Sequence, residues 1–313
     1  MKRPLFSLLS LLLLVCTLSV QAQTPADWEQ LPLDLNFYMV NDMGRNGYYD
    51  QKPIAELMGQ MADAISPECV FAIGDVHHFW GVESTQDPLW TTNYELIYSH
   101  PDLMLPWYPV LGNHEYRGNT EAILDYSHVS RRWMMPARYY SRVFTADSFS
   151  IRFILIDTSP LIERYRAESE KYPDACKQDW QAELDWLDQE LAQAGEDWIV
   201  VMGHHPIYAE TGKTEYERLD MQKYVDSILR KHRVDIYASG HIHNFQHLRA
   251  PGSDIDYIVN SAAALSRPVS PVEGTQFCDP RTGFSIISAS RDTLNFYMID
   301  ATGTVINTVT RTK

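Results

Sequence analysis

The sequence predicts a single α/β domain built on one mixed sheet or on two stacked sheets. Three observations carry that expectation. Short continuous apolar runs, rich in β-branched and aromatic residues, have the character of strands buried on both faces. Amphipathic helical stretches lie between them. Although 313 residues leave room for two domains, no repeat, low-complexity segment or long linker divides the chain.

In chain order, apolar runs at 35–40, 69–73 and 107–111 predict the first three strands, with a helix over 53–66 and another over 120–133. A strand follows at 151–156. The clearest helix spans 178–193, where Trp180, Leu184, Leu187 and Leu191 recur at spacings of 4, 3 and 4. Strands at 198–202 and 234–238 enclose a further helix over 216–232. From Tyr257 onward the chain alternates like antiparallel strands, as at 284–290 and 295–299.

Residues 1–22 read as a secretory signal, leaving 23–313 as the folded domain. Lys2 and Arg3 precede an apolar run, 5–20, which is short for a membrane span, and Val20-Gln21-Ala22 offers small residues for cleavage. A retained N-terminal anchor and a lipoprotein reading through Cys16 are the alternatives. The expected location is therefore secreted or periplasmic, with no stable membrane span after cleavage. Export places Cys69, Cys176 and Cys278 in an oxidising compartment. Cys69 opens an apolar run and reads as a buried small hydrophobe. Cys176 and Cys278, in polar loops, are the expected disulfide pair.

The formal net charge is −15, and removing Lys2 and Arg3 takes it to −17. Such a surface excludes sequence-independent binding of nucleic acid, which runs on clustered Lys and Arg. It also disfavours small anions unless something other than side chains supplies positive charge.

The turns at the ends of the predicted strands are chemically distinctive. They read Asn41-Asp42-Met43-Gly44, Gly74-Asp75-Val76-His77-His78, Gly112-Asn113-His114-Glu115, Gly203-His204-His205-Pro206 and Gly240-His241-Ile242-His243-Asn244. Seven of the eleven histidines fall inside these five segments. Strand C-termini are where open α/β sheets build ligand sites. Asp, Asn and His together form a ligand mixture for Zn, Mn or Fe. The set exceeds what one tetrahedral ion needs, and two ions sharing a carboxylate use it fully. Two ions about 3.5–4 Å apart clamp the attacking and leaving oxygens of phosphoryl hydrolysis and lower the pKa of bound water. Taken singly, Asp42 reads as a helix cap before it reads as a ligand, and His241 or His243 read as strand-edge residues. Only the ordered combination is specific.

With those residues in view, the sequence resembles the calcineurin-like metallophosphoesterases, and within them the purple and tartrate-resistant acid phosphatases. Asp-x-Gly, Gly-Asp, Gly-Asn-His-Glu, Gly-His-x-Pro and Gly-His-x-His-Asn are met in order. Arg132-Trp133-Met134-Met135-Pro136, Asp157-Thr158 and the region of Trp186 extend the likeness over nearly the whole mature chain. The resemblance implies a two-sheet β-sandwich flanked by helices (αββα). It implies one ion on Asp42, Asp75 and His243, and another on Asp75, Asn113, His204 and His241. The pair would be divalent, or iron with a divalent partner (Fe, Zn or Mn). It further implies that a metal-bound hydroxide attacks a small phosphate monoester. His114 would hold the phosphate or protonate the leaving oxygen.

Two departures matter. The family's Gly-Asp-x-x-Tyr reads Gly74-Asp75-Val76-His77-His78, so His78 stands where a tyrosine ligand is expected and His77 is a structural neighbour. Imidazole suits a divalent ion better than ferric iron, so the protein is expected not to be purple. A further histidine that the family carries beyond the metal-binding one is also missing. His205 can replace it in helping the leaving group, or Lys213 can bind phosphate as a point charge. The competing functions are a phosphodiesterase on the same metals and a non-catalytic metal- or phosphate-binding protein. A Ser/His/Asp hydrolase fails for want of a Gly-x-Ser-x-Gly elbow.

Overall fold

Strand β1 (Leu35–Val40) is followed by β2 (Val70–Ile73), β3 (Trp107–Val110), β4 (Tyr140–Thr145), β5 (Ser150–Leu155), β6 (Trp198–Met202) and β7 (Ile236–Ser239) in the computed structural model. The C-terminal part adds β8 (Phe245–Arg249), β9 (Asp256–Val259), β10 (Thr275–Asp279), β11 (Gly283–Ala289), β12 (Thr293–Asp300) and β13 (Val305–Thr312). The structure describes residues 25–212 and 214–313. The expected signal segment 1–22, with Cys16, and the candidate Lys213 lie outside the described residues.

These strands form two sheets, in the orders β13-β12-β11-β1-β2-β3 and β10-β8-β9-β7-β6-β5-β4. In the first, β1, β2 and β3 run parallel while β11 pairs antiparallel with β1. In the second, β5, β6, β7 and β9 run parallel. The tail therefore departs from the antiparallel expectation at β9, which pairs parallel with β7. Beyond it, β11, β12 and β13 form the antiparallel meander.

Phenylalanines hold the sheets face to face. Phe37 of β1 and Phe71 of β2 meet Phe153 of β5 at ring-centroid distances of 4.7 and 4.3 Å, with Phe144 of β4 4.8 Å from Phe37. Truncating one of these rings to alanine would cost about 3–5 kcal/mol. The outer faces are covered by helices, which is why the parallel strands lack alternation. The helix Gln51–Ile65 receives the Tyr38 hydroxyl on the Met58 carbonyl, at 3.0 Å. The helix Trp180–Gln193 buries Leu184, Leu187 and Leu191, and its first turn is capped by Asp179, which accepts from the Ala182 N–H at 3.1 Å.

Two predicted helices are shorter than their periodicity suggested. The one beginning at Thr120 ends at Asp125, because the chain must leave to lay Trp133 beside β3, where the Trp107 N–H donates to the Arg132 carbonyl. The one beginning at Glu215 passes through a π-helical turn, Gln222–Asp226, and ends at Leu229 rather than at 232. That turn buries the Asp226 carboxylate, which accepts from the hydroxyls of Tyr208 (2.8 Å) and Tyr257 (2.5 Å). The expected Cys176–Cys278 bridge is not formed. Cys176 lies in the turn Ala175–Lys177 with its sulfur 3.9 Å from the Pro173 carbonyl, Cys278 lies on the edge strand β10, and both are free thiols. Cys69 is free and fully buried, as expected.

Candidate metal centre

The C-terminal ends of β1, β2 and β3 in one sheet converge on those of β6 and β7 in the other. Four polar residues at these ends adopt left-handed backbone: Asp42 (φ 50°), Asp75 (φ 54°), His241 (φ 70°) and His243 (φ 66°). The turns also need close approach. A Cβ on Gly74, itself at φ +80°, would lie 2.5 Å from His204 Nδ1, and one on Gly112 would lie 2.3 Å from Asp75 Oδ1.

Hydrogen bonds fix which atom each side chain presents. Asp42 Oδ2 accepts from the Asn41 side-chain amide and the His241 N–H, both at 2.7 Å. Its Oδ1 has no hydrogen-bond partner and lies 3.1 Å from His243 Nε2. His243 Nδ1 donates to the Leu265 carbonyl at 2.6 Å, and His204 Nδ1 donates to the Ile73 carbonyl at 2.9 Å. Both rings thus turn Nε2 inward, where the neutral form offers a lone pair. Asp75 is the hub. Its Oδ1 accepts from the His114 N–H at 2.9 Å, and its Oδ2 lies 3.3 Å from His204 Nε2, 3.4 Å from His78 Nε2 and 3.7 Å from His114 Nε2.

His241 is held from outside the predicted motifs. Its Nε2 donates to Glu217 Oε2 at 2.9 Å, leaving Nδ1 as the lone-pair atom, 3.2 Å from His204 Nε2. In the metal-free chain a protonated His204 donates from Nε2 to His241 Nδ1; once that proton leaves, both nitrogens offer lone pairs to a cation. The ring nitrogens of His78 and Asn113 Oδ1 are likewise buried without hydrogen-bond partners. Ligand atoms of Asp42, His78 and His243, of Asp75, His78 and His114, of Asp42, Asp75 and His204, and of His204, His205 and His241 each fall within 4.8 Å of one another. The overlapping groups match the demands of two borderline cations, and the orphaned atoms are the ones such ions would take.

Electrostatics agree. Burial alone would raise Asp42 and Asp75, but the imidazoles override it, led by His243 at Asp42 and His204 at Asp75, and hold both carboxyls below their usual range. Burial opposes a proton on His204, yet Asp75 raises this imidazole to about 10 in the metal-free chain. Metal binding must therefore displace a proton. Glu115, pushed up to about 7 by burial and by the charge of Asp75, joins two loops: its carboxylate accepts from the backbone N–H groups of Asp75 (2.8 Å), Gly112 (2.8 Å) and His77 (3.0 Å).

His114 lines an adjoining cleft of about 310 Å³ together with Asn113, Arg117, Tyr172, Tyr216 and Glu217. Its Nδ1 donates to the Phe79 carbonyl at 2.8 Å, so Nε2 faces the centre. Burial lowers its pKa to about 4, against the pull of Asp75. His205 is placed differently. It is fully buried behind His241, with Nδ1 2.7 Å from the Thr158 hydroxyl and Nε2 3.4 Å from that of Tyr165, and it does not line the cleft. His77 packs edge-on to Trp90, ring centroids 4.4 Å apart. The structure thus gathers Asp42, Asp75, His78, Asn113, His114, His204, His241 and His243 and adds Glu217, whose helix carries no motif that signals a role.

The profile of the Calcineurin-like phosphoesterase family matches residues 35–245. The chain is 30% identical to purple acid phosphatase 7 of Arabidopsis thaliana, over 87% of this chain and 84% of that one. It is 28% identical to tartrate-resistant acid phosphatase type 5 of Oryctolagus cuniculus, over 77% and 72%. Among solved structures, GAP50, the anchor in the inner membrane complex of Plasmodium, superposes with a TM-score of 0.75 at 24% identity, covering 89% of this chain and 88% of that one; this likeness concerns the fold alone.

Proposed function

The chain belongs to the calcineurin-like phosphoesterase family, and from that premise we propose that it is an exported phosphatase whose dinuclear metal centre hydrolyses phosphate monoesters. Asp42, Asp75, His78 and His243 would hold one ion and Asp75, Asn113, His204 and His241 the other, Asp75 being common to both sets. The observation that carries the reading is the set of buried donor atoms left without hydrogen-bond partners, Asp42 Oδ1, the ring nitrogens of His78 and Asn113 Oδ1, among overlapping ligand groups that share Asp75 and His204. Bound there, the ions supply Lewis acidity toward phosphoryl oxygens and acidify water to near neutral pH.

The chain's own groups supply the remainder. His114, with its tautomer set by the Phe79 carbonyl, presents Nε2 to the cleft and in its protonated form gives a proton to the ester oxygen of the departing alcohol. His205, enclosed by Thr158 and Tyr165, supports His241 and leaves the acid role to His114. With imidazole from His78 in place of a phenolate, the first ion is divalent (Zn, Mn or Fe). Export rests on the leader character of 1–22.

A parallel assay of 4-nitrophenyl phosphate and bis(4-nitrophenyl) phosphate, after reconstitution with Zn, Mn or Fe, tests the reading. The monoester is expected to be hydrolysed at least tenfold faster. Asn113→Ala should lose metal, and His114→Ala should lose most activity on poor leaving groups. Full metal loading with hydrolysis of neither ester would overturn the proposal.

A further inference from the structure

We propose that the pocket on the His78 side of the metal centre receives the alcohol half of the substrate, and that it selects phosphate esters whose alcohol carries an aromatic ring and a second negative charge. The inference rests on the phosphatase reading above and specifies its substrate class.

The pocket encloses about 540 Å³ between the segment that follows β1, Phe79 and the stretch from Leu265 to Arg267. That volume lies within the ~300–1,000 Å³ of small-molecule sites. It is continuous with the metal centre: His78 lines it, and Arg267 borders both this pocket and the cleft that holds His114. A substrate with its phosphorus at the centre therefore has this space for what remains.

Arg45 shows what the space is built to meet. Its side chain is only 8% exposed, and its Nε makes no hydrogen bond. Its guanidinium lies over the face of Phe79, with Cζ 4.8 Å from the ring centroid. No carboxylate lies within ion-pair distance of Arg45 or Arg267 among the described residues; Asp42 and Asp75, whose charges reach Arg45 from farther off, are the carboxylates that metal ions would take up. In a chain with 41 Asp and Glu against 26 Lys and Arg, this pocket gathers two arginines and no carboxylate in its lining. A buried guanidinium without an anion is unfavourable, and a ligand anion relieves it. The aromatic requirement comes from the walls. Tyr48, Tyr49, Phe79 and Trp80 are the large aromatic side chains left exposed among the described residues, and the first three line this pocket. They offer faces for a planar ring beside the cations.

The test compares phenyl phosphate with 3- and 4-carboxyphenyl phosphate by kcat/KM. In parallel, it compares phenylphosphonate with the carboxyphenylphosphonates by titration calorimetry on metal-replete protein. The wild type should favour a carboxylated ligand at least tenfold in both measurements, and Arg45→Gln and Arg267→Gln should each reduce that preference below threefold. Arg267 is only half-buried, so its variant carries the test if Arg45→Gln does not fold. Equal preference in the wild type overturns the proposal. So does an equal loss for both ligands in the variants, which would assign the arginines to the transferred phosphoryl group. Preferential binding without turnover of any ester would overturn the phosphatase reading and leave the subsite standing.

Discussion

Replacing Glu217 by alanine removes the acceptor that sets the tautomer of His241. The bond from His241 Nε2 to Glu217 Oε2 is 2.9 Å long, and the carboxylate is 2% exposed and also held by the Tyr165 hydroxyl at 2.5 Å. Burial would raise this carboxyl, but His241 holds it well below the usual range, so it is ionised throughout the working pH. A buried hydrogen bond to a charged group contributes about 1.5–3 kcal/mol. The loss of a partner behind a metal-binding histidine lowers metal affinity by about 10–100-fold. At about 1.4 kcal/mol per decade, the two scales coincide. Glu217→Ala is therefore expected to weaken the more labile ion by between one and two decades. Glu217→Gln, which keeps one uncharged acceptor, should cost about tenfold or less. Equilibrium competition against a chromophoric chelator measures this directly, with circular dichroism to show that the fold persists. A folded Glu217→Ala protein that holds its metals within threefold of wild type would refute the assignment.

Three further outcomes are expected. Burial pushes Asp157 up to about 7 despite Arg138 and the Tyr116 hydroxyl, so the folded state binds this proton more tightly than the unfolded chain. Its contribution to stability, at most roughly 4 kcal/mol, is complete below about pH 4 and lost as pH rises through about 7. Urea midpoints of Asp157→Asn should thus gain on wild type between pH 5 and 8, and parallel curves would contradict the sign. Gly74→Ala places a Cβ 2.5 Å from His204 Nδ1 at a left-handed residue, so its metal content after dialysis should fall below that of wild type; unchanged content would show that the turn yields freely. Wild type loaded with ferric iron should lack a strong visible band, and His78→Tyr should gain one from phenolate-to-iron charge transfer. A comparable band in wild type would count against a tyrosine-free first site.

Much of this architecture was legible in the chain because both strand and ligand signals are local. Strands β1 and β6 coincide with apolar runs at 35–40 and 198–202, since helices bury their outer faces as well as their inner ones. Strand β4 gave no such run: it is a sheet edge, with Val143 and Arg142 exposed, and only Tyr140 fully packed. Strand β13 is similarly an edge, rich in Thr and largely accessible. The residues Asp42, Asp75, Asn113, His204, His241 and His243 stood out because glycine-bearing turns repeat at strand ends. Glu217 did not, because its meaning lies in a pairing with His241 across 24 residues, and an exposed-looking Glu in an amphipathic helix carries no local mark. Arg45 was silent for the converse reason: what distinguishes it is that no carboxylate among the described residues comes within ion-pair distance of its buried guanidinium.

The convergence of both sheets on one centre has a mechanical meaning. The donor atoms come from five segments, and Asp42 and His243 are separated by about 200 residues, so ions held between them close a loop of that length. A permanent link of this span would remove about 5 kcal/mol of chain entropy from the unfolded state. The described chain has no disulfide to do so, since Cys69, Cys176 and Cys278 are all free. The metal pair thus acts as the removable staple of a sandwich otherwise joined by side-chain packing. Chelation should lower the melting temperature and speed proteolysis, making the metal supply where the protein folds a determinant of how long it survives.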